Sequence, residues 1–178
     1  MRAVRFLRRL AHAERGMALV EFALVLPFMA LLYVGSYQIC DAVAAYRKVT
    51  RATRTIADLT SQYTSVDEQD VAEILNSSVQ VMSPYPTSKA TMTVTQVTIS
   101  DAGYPTVDWS RGKNSSGRTK GEYFDIPTAI RQKNTSLIIA QINYTYTPAF
   151  AASFIGTLPL SETIIMSPRA SASVAMQN

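Results

Sequence analysis

Cysteine is almost absent from this chain. Cys40 stands alone, which excludes any disulfide within one molecule and leaves only a link between two chains, or a small apolar residue in its place. Histidine is equally scarce. His12 is the sole example and lies in the basic N-terminal stretch, so no Ser/His/Asp or Cys/His arrangement is available to the rest of the chain. Metal-ligand spacing is missing as well, because Asp101, Asp108, Glu122 and Asp125 are scattered. Asp101 and Asp108 flank a loop and suit weak calcium binding, although ordinary turn roles suit them better. Together these absences argue against an enzyme.

Charge is missing where it matters most. From Met17 to Cys40 the only charged residue is Glu21. A bilayer core needs roughly 20 apolar residues in a helix, so this run is long enough to span one. A carboxylate inside such a segment costs on the order of 2.5–3.5 kcal/mol at the bilayer centre and less near the interface, and therefore reads as functional.

The net charge of +4 is local. Residues 1–16 hold five arginines and one glutamate, leaving twelve basic and twelve acidic residues in 17–178. The high isoelectric point belongs to the leader, and nucleic-acid binding gains no support from it.

A cleaved secretory signal has an apolar region of about 7–15 residues and a small-residue cleavage site, and this run is longer. Gln38-Ile39-Cys40 lacks the small residues that a lipoprotein signal places before its cysteine. A plain signal anchor fits the hydropathy but gives Glu21 no task. A prepilin-type leader removed after Gly16 accounts for more. It makes Met17 a new amino terminus and Glu21 the fifth mature residue, one helical turn on, where its carboxylate can pair with a neighbouring subunit's amine. A simpler role for Glu21 is to complement the positive end of the helix dipole. Arg47, Lys48, Arg51 and Arg54 follow the span closely, so the positive-inside bias toward a cytoplasmic N-terminus is slight.

Nothing interrupts the helical pattern between Asp41 and Tyr63, and a single helix from about Met17 to Tyr63 is expected. Ile39, Val43, Tyr46, Val49, Ile56, Leu59 and Tyr63, with Thr53, form a stripe at spacings of three and four. Such a helix would be roughly 70 Å long. Pro27 should kink it, and the stripe should pack under the C-terminal domain. Ser65-Val66-Asp67-Glu68 resembles a capping box opening a second helix at about 67–81, with Val71, Ile74, Leu75, Val79 and Met82 inward. Ser83-Pro84-Tyr85-Pro86 ends it.

Three strands are expected, at Thr91–Ile99, Leu137–Thr147 and Leu160–Met166. In the first, the apolar positions change phase between Val94 and Val97, which predicts a bulge near Thr95-Gln96. The second alternates cleanly, with Ile138, Ala140, Ile142, Tyr144 and Tyr146 on one face. Residues 101–121 read as an exposed loop with room for a short strand at Val107-Asp108-Trp109, and the last residues as a frayed tail. The fold class is α+β: a long transmembrane and amphipathic helix, then a small antiparallel-sheet domain. The divisions are a leader at 1–16, the helix at 17–63 and the domain at 64–178. Gly112–Thr119 falls one residue short of a phosphate-binding loop, with Arg118 where lysine should stand, and no cofactor is expected.

At this point a family resemblance is specific. Arg15-Gly16-Met17-Ala18-Leu19-Val20-Glu21-Phe22 through Pro27 resembles the opening of TadE-like proteins, minor pseudopilins of the tight-adherence (Flp) pilus machinery. Arg51–Leu59 is similar to their periplasmic helix, and Tyr144–Pro148 and Ser161–Arg169 resemble their C-terminal strands. TadF- and TadG-like proteins share the opening segment, while Flp pilins lack a domain of this size. The resemblance implies a non-enzymatic protein cut at Gly16–Met17 by the prepilin peptidase, with Glu21 needed for maturation or assembly. It implies other Tad pseudopilins, the Flp pilin and the Tad inner-membrane platform as partners. The N-terminus would be cytoplasmic and the domain periplasmic, in a bacterial inner membrane. An uncleaved single-span protein whose domain binds an envelope ligand is the alternative.

Overall fold

The computed structural model describes residues 14–150 and 156–177; the leader residues 1–13, with His12, lie outside them. Helix α1 runs Glu14–Ser61 and continues through Pro27. The chain divides into two compact units, with the boundary in the sequence between Asp41 and Ala42. In the first unit, the side chains from Met17 to Cys40 are exposed except Gln38. A helix that is apolar all round has no polar face to offer water, and this one is long and apolar enough to cross a membrane.

The second unit is α+β. After α1 come β1 (Ser65–Val66), α2 (Glu68–Val81), β2 (Ala90–Ile99), β3 (Pro105–Lys113), β4 (Thr135–Tyr146), β5 (Leu158–Met166) and β6 (Ala175–Met176). Four of these strands form an antiparallel sheet in the order β3-β2-β4-β5. The sheet carries a core on each face. On one, Val49 and Ile56 of α1 and Leu75 of α2 pack with Met92 of β2 and Ile138 and Ile142 of β4. On the other, Val97, Ile99, Val107, Leu137 and Ile139 are covered by Phe124 and Ile126 from the loop after β3.

This second core corrects the expected bulge in β2. The register of β2 with β4 is unbroken from Ala90–Tyr144 to Ile99–Thr135. The apolar phase changes because the first half of β2 buries its even positions against helices and the second half its odd positions against the loop. The irregularity lies across from Gln96 and Val97, in β3: Gln96 pairs with Trp109 and Val97 with Val107, leaving Asp108 as the extra residue.

Three further expectations change. Residues 101–121 are not an exposed loop throughout: the short strand expected at 107–109 extends to a full edge strand, 105–113, with Val107, Trp109 and Ser110 buried. The tail is not frayed. Val174 is fully buried, β6 pairs in parallel with β1, and the backbone N–H groups of Ala175 and Gln177 donate to the carbonyls of Thr64 and Val66. The helix cap also shifts, because Asp67 and Asp70, not Ser65 and Glu68, exchange the two reciprocal hydrogen bonds of the capping box. Ser65 is occupied by the pairing with β6.

The face of α1 buried in this unit is narrower than the expected stripe. Ala45, Val49, Ala52, Thr53, Ile56 and Ala57 are fully buried, whereas Val43 and Tyr46 are exposed at its margin. Three of these six buried residues are alanines, and the larger Val49 and Ile56 supply the bulk of the buried face. Inward-facing Tyr144 and Tyr146 pack edge-on against Tyr85, each with ring centroids 6.4 Å away.

Candidate functional site

Gly16, Met17 and Glu21 all lie on the first turns of α1. Glycine is a poor helix residue, about 0.8–1.0 kcal/mol worse than alanine, so Gly16 is a weak point at which the backbone can be drawn out of the helix. A Cβ at Gly16 would meet nothing within 4 Å, so the fold itself makes no demand for glycine there. Met17 is 64% exposed, and Glu21, four residues on, shares its face. The Glu21 side chain is exposed and has no ion pair among the described residues. A carboxylate on an apolar helix in that condition is available to a group from another molecule. Cys40 is exposed and free.

The remaining motifs resolve into structural roles. Gly117, at φ +71°, brings the chain back against β3, and a Cβ there would stand 3.0 Å from the Ser110 carbonyl oxygen. Close packing accounts for this glycine, and no helix follows the segment to receive a phosphate. Arg118 pairs with Glu122 at 3.1 Å and lies 4.6 Å over the Phe124 ring, so its charge serves the loop. Asp108 accepts hydrogen bonds from Gln96 Nε2, at 3.0 Å, and from Thr98 Oγ1. Asp101 accepts one from Asn134 at 3.3 Å. Both carboxylates thus fasten neighbouring segments.

The Asp108 contacts belong to a network that sequence reasoning missed. Trp109 Nε1–H donates to the Val174 carbonyl at 2.7 Å, and the Val174 N–H donates to Gln96 Oε1 at 2.5 Å. Gln96 thereby joins the β3 bulge to the C-terminal segment. The only advance signal was Gln96 itself, a polar residue at a position facing inward.

Two exposed pairs carry titration shifts. Arg111 beside Glu68 holds that carboxyl below its ordinary range by hydrogen bonding and charge. The Tyr46 hydroxyl donates to Glu162 Oε2 at 2.7 Å, and this bond with the nearby carboxylate pushes the phenol above its ordinary value.

Residues 16–58 match the family of TadE-like proteins, in agreement with the resemblance in the sequence. No curated protein and no solved structure matches the chain. The match covers nearly all of α1 and stops before Leu59, so the sheet domain lies outside it. It suggests a role connected with the Tad pilus, and the matched family is one of structural, non-enzymatic proteins. With the apolar helix it points also to membrane anchoring.

Proposed function

We propose that this chain is a non-enzymatic minor pseudopilin of the Tad/Flp system, cleaved between Gly16 and Met17 and held in the bacterial inner membrane by Met17–Cys40. The observation that carries the reading is the TadE-like match beginning on the exposed apolar stretch Met17–Cys40, whose one carboxylate sits a single turn from Met17. Cleavage would place a positive amine beside Glu21 of a neighbouring subunit. In a low-dielectric helix bundle, an unpaired carboxylate is costly enough to penalise wrong axial registers. The prepilin peptidase, other Tad pseudopilins, the Flp pilin and the inner-membrane platform are the partners this reading names, with the sheet domain periplasmic.

The test is the mass of the membrane-extracted protein and its N-terminal peptide, with and without the prepilin peptidase. A Met17 terminus that requires the peptidase, and is lost in Gly16→Leu, supports the proposal. Among the described residues no side chain crowds Gly16, so loss of cleavage in that variant reads as a failure of peptidase recognition. An intact Met1 terminus under both conditions would overturn it in favour of an uncleaved single-span protein. Glu21→Ala should remain inserted yet assemble poorly, and normal piliation with that variant would refute the pairing role.

A further inference from the structure

Charges of opposite sign stand at the two ends of α2. At its C-terminal end, Arg51, Arg54 and Arg169 rim a groove of about 600 Å³ over a floor of Leu59, Val81 and Met166. Asp58 also lines it and is paired with Arg169 at 2.8 Å. Arg51 and Arg54, exposed and three residues apart on α1, have no ion pair among the described residues. At the other end, Asp67, Glu68, Asp70 and Glu73 are clustered, and among the described residues only Glu68 of these four has a cation, Arg111. The fourteen residues of α2 separate the two ends by about 20 Å.

We propose that the groove receives the acidic N-terminal end of α2 from a second copy of this chain. A basic groove meeting an acidic patch elsewhere on the same surface is a heterologous contact. It repeats in rows and does not close as a two-fold dimer. Desolvation by the apolar floor strengthens each ion pair formed there. A lipid phosphate would meet the same basic rim and the same Asp58 carboxylate, and the bilayer arm of the experiment below distinguishes it. The contact lies within the sheet domain and requires no cleavage at Gly16, so Gly16→Leu chains should form it equally.

The experiment uses the full chain in detergent, with Cys40→Ser to silence the native thiol. One tagged copy carries Arg54→Cys and a differently tagged copy carries Glu73→Cys. The expected result is a disulfide-linked pair in the mixture and little in either variant alone. A ladder of trimers and longer species should appear when both substitutions are on one chain. Adding Arg51→Glu to the Arg54→Cys copy should lower the yield at least about fivefold, and so should high salt, which screens exposed charges. Far-ultraviolet circular dichroism and Trp109 emission check that each variant is folded. Equal linking in like and mixed pairs would overturn the proposal, as would a yield indifferent to Arg51→Glu. Protection of Arg51 and Arg54 from chemical modification only in phosphatidylglycerol-containing bilayers would assign the groove to lipid, and also overturn it.

Discussion

Gln96→Glu changes one atom type in a side chain that is 3% exposed, and its consequences follow from the network around it. In the native protein Gln96 Nε2 donates to Asp108 Oδ2 at 3.0 Å. The substitution removes that donor and sets a carboxylate against a carboxylate. Two unit charges at that distance repel by about 5 kcal/mol at an effective dielectric of 20. The protein avoids most of this cost by keeping a proton on the introduced carboxyl, raising its folded pKa above the unfolded value of about 4.3. A raised pKa contributes stability below the unfolded value and loses it as pH rises toward the folded one, at 1.36 kcal/mol per unit. The variant should therefore nearly match the native protein near pH 4.3, lag by about 1 kcal/mol at pH 5 and lag by about 3–4 kcal/mol at pH 7. Urea unfolding followed by Trp109 emission measures this, and the indole N–H is bonded to the same network through Val174. A variant as stable as the native protein at pH 7, or a deficit that does not change with pH, would refute the reasoning.

Other perturbations test separate parts of the domain. Ile56→Ala opens a cavity in the fully buried face of α1 and should cost about 2–5 kcal/mol in chemical unfolding, while membrane extraction shows insertion unchanged. Asp67→Ala removes the side-chain half of the α2 cap and should cost about 1 kcal/mol, whereas Ser65→Ala should leave the cap intact by the same measure. The Thr60 hydroxyl is buried with no hydrogen-bond partner among the described residues, so Thr60→Val should be neutral or stabilising by about 1 kcal/mol in thermal unfolding. Glu162→Gln should move the Tyr46 titration back toward its ordinary value, read as tyrosinate absorbance appearing at lower pH. With Glu162 present, the raised phenol pKa favours folding below the ordinary tyrosine range, and that contribution is lost as pH climbs through the folded value.

The elements that patterning revealed are those whose partners lie on one side only. The inner face of α2 and the second half of β4, from Ile142 to Tyr146, each bury a single set of residues, so their periods read directly into structure. β2 is buried on different faces in its two halves, and one strand's pattern cannot distinguish that from a bulge. β3 resembled a loop because Asp108, the bulged residue, breaks its alternation, and because Gly, Ser and Lys cluster beyond it. The docking of the tail rests on backbone hydrogen bonds and one valine, which leave no periodic mark. At the candidate site, Gly16, Met17 and Glu21 were legible as a motif because they are close in sequence. The basic groove was not, because Arg169 joins Arg51 and Arg54 only through the fold.

The two cores also divide the labour of holding the sheet. β2 and β4 contribute to both, so loosening the loop that carries Phe124 and Ile126 leaves those strands clamped by the helices. The loop can accordingly fluctuate, or accept quite different residues, without disturbing the packing of α1. In hydrogen exchange this would appear as two tiers of protection: amides of β3 near the loop exchange through a shallow local opening, while those of β2 and β4 wait for global unfolding. The central strands thus insulate the Ala45–Ala57 face of α1 from whatever happens at the far face.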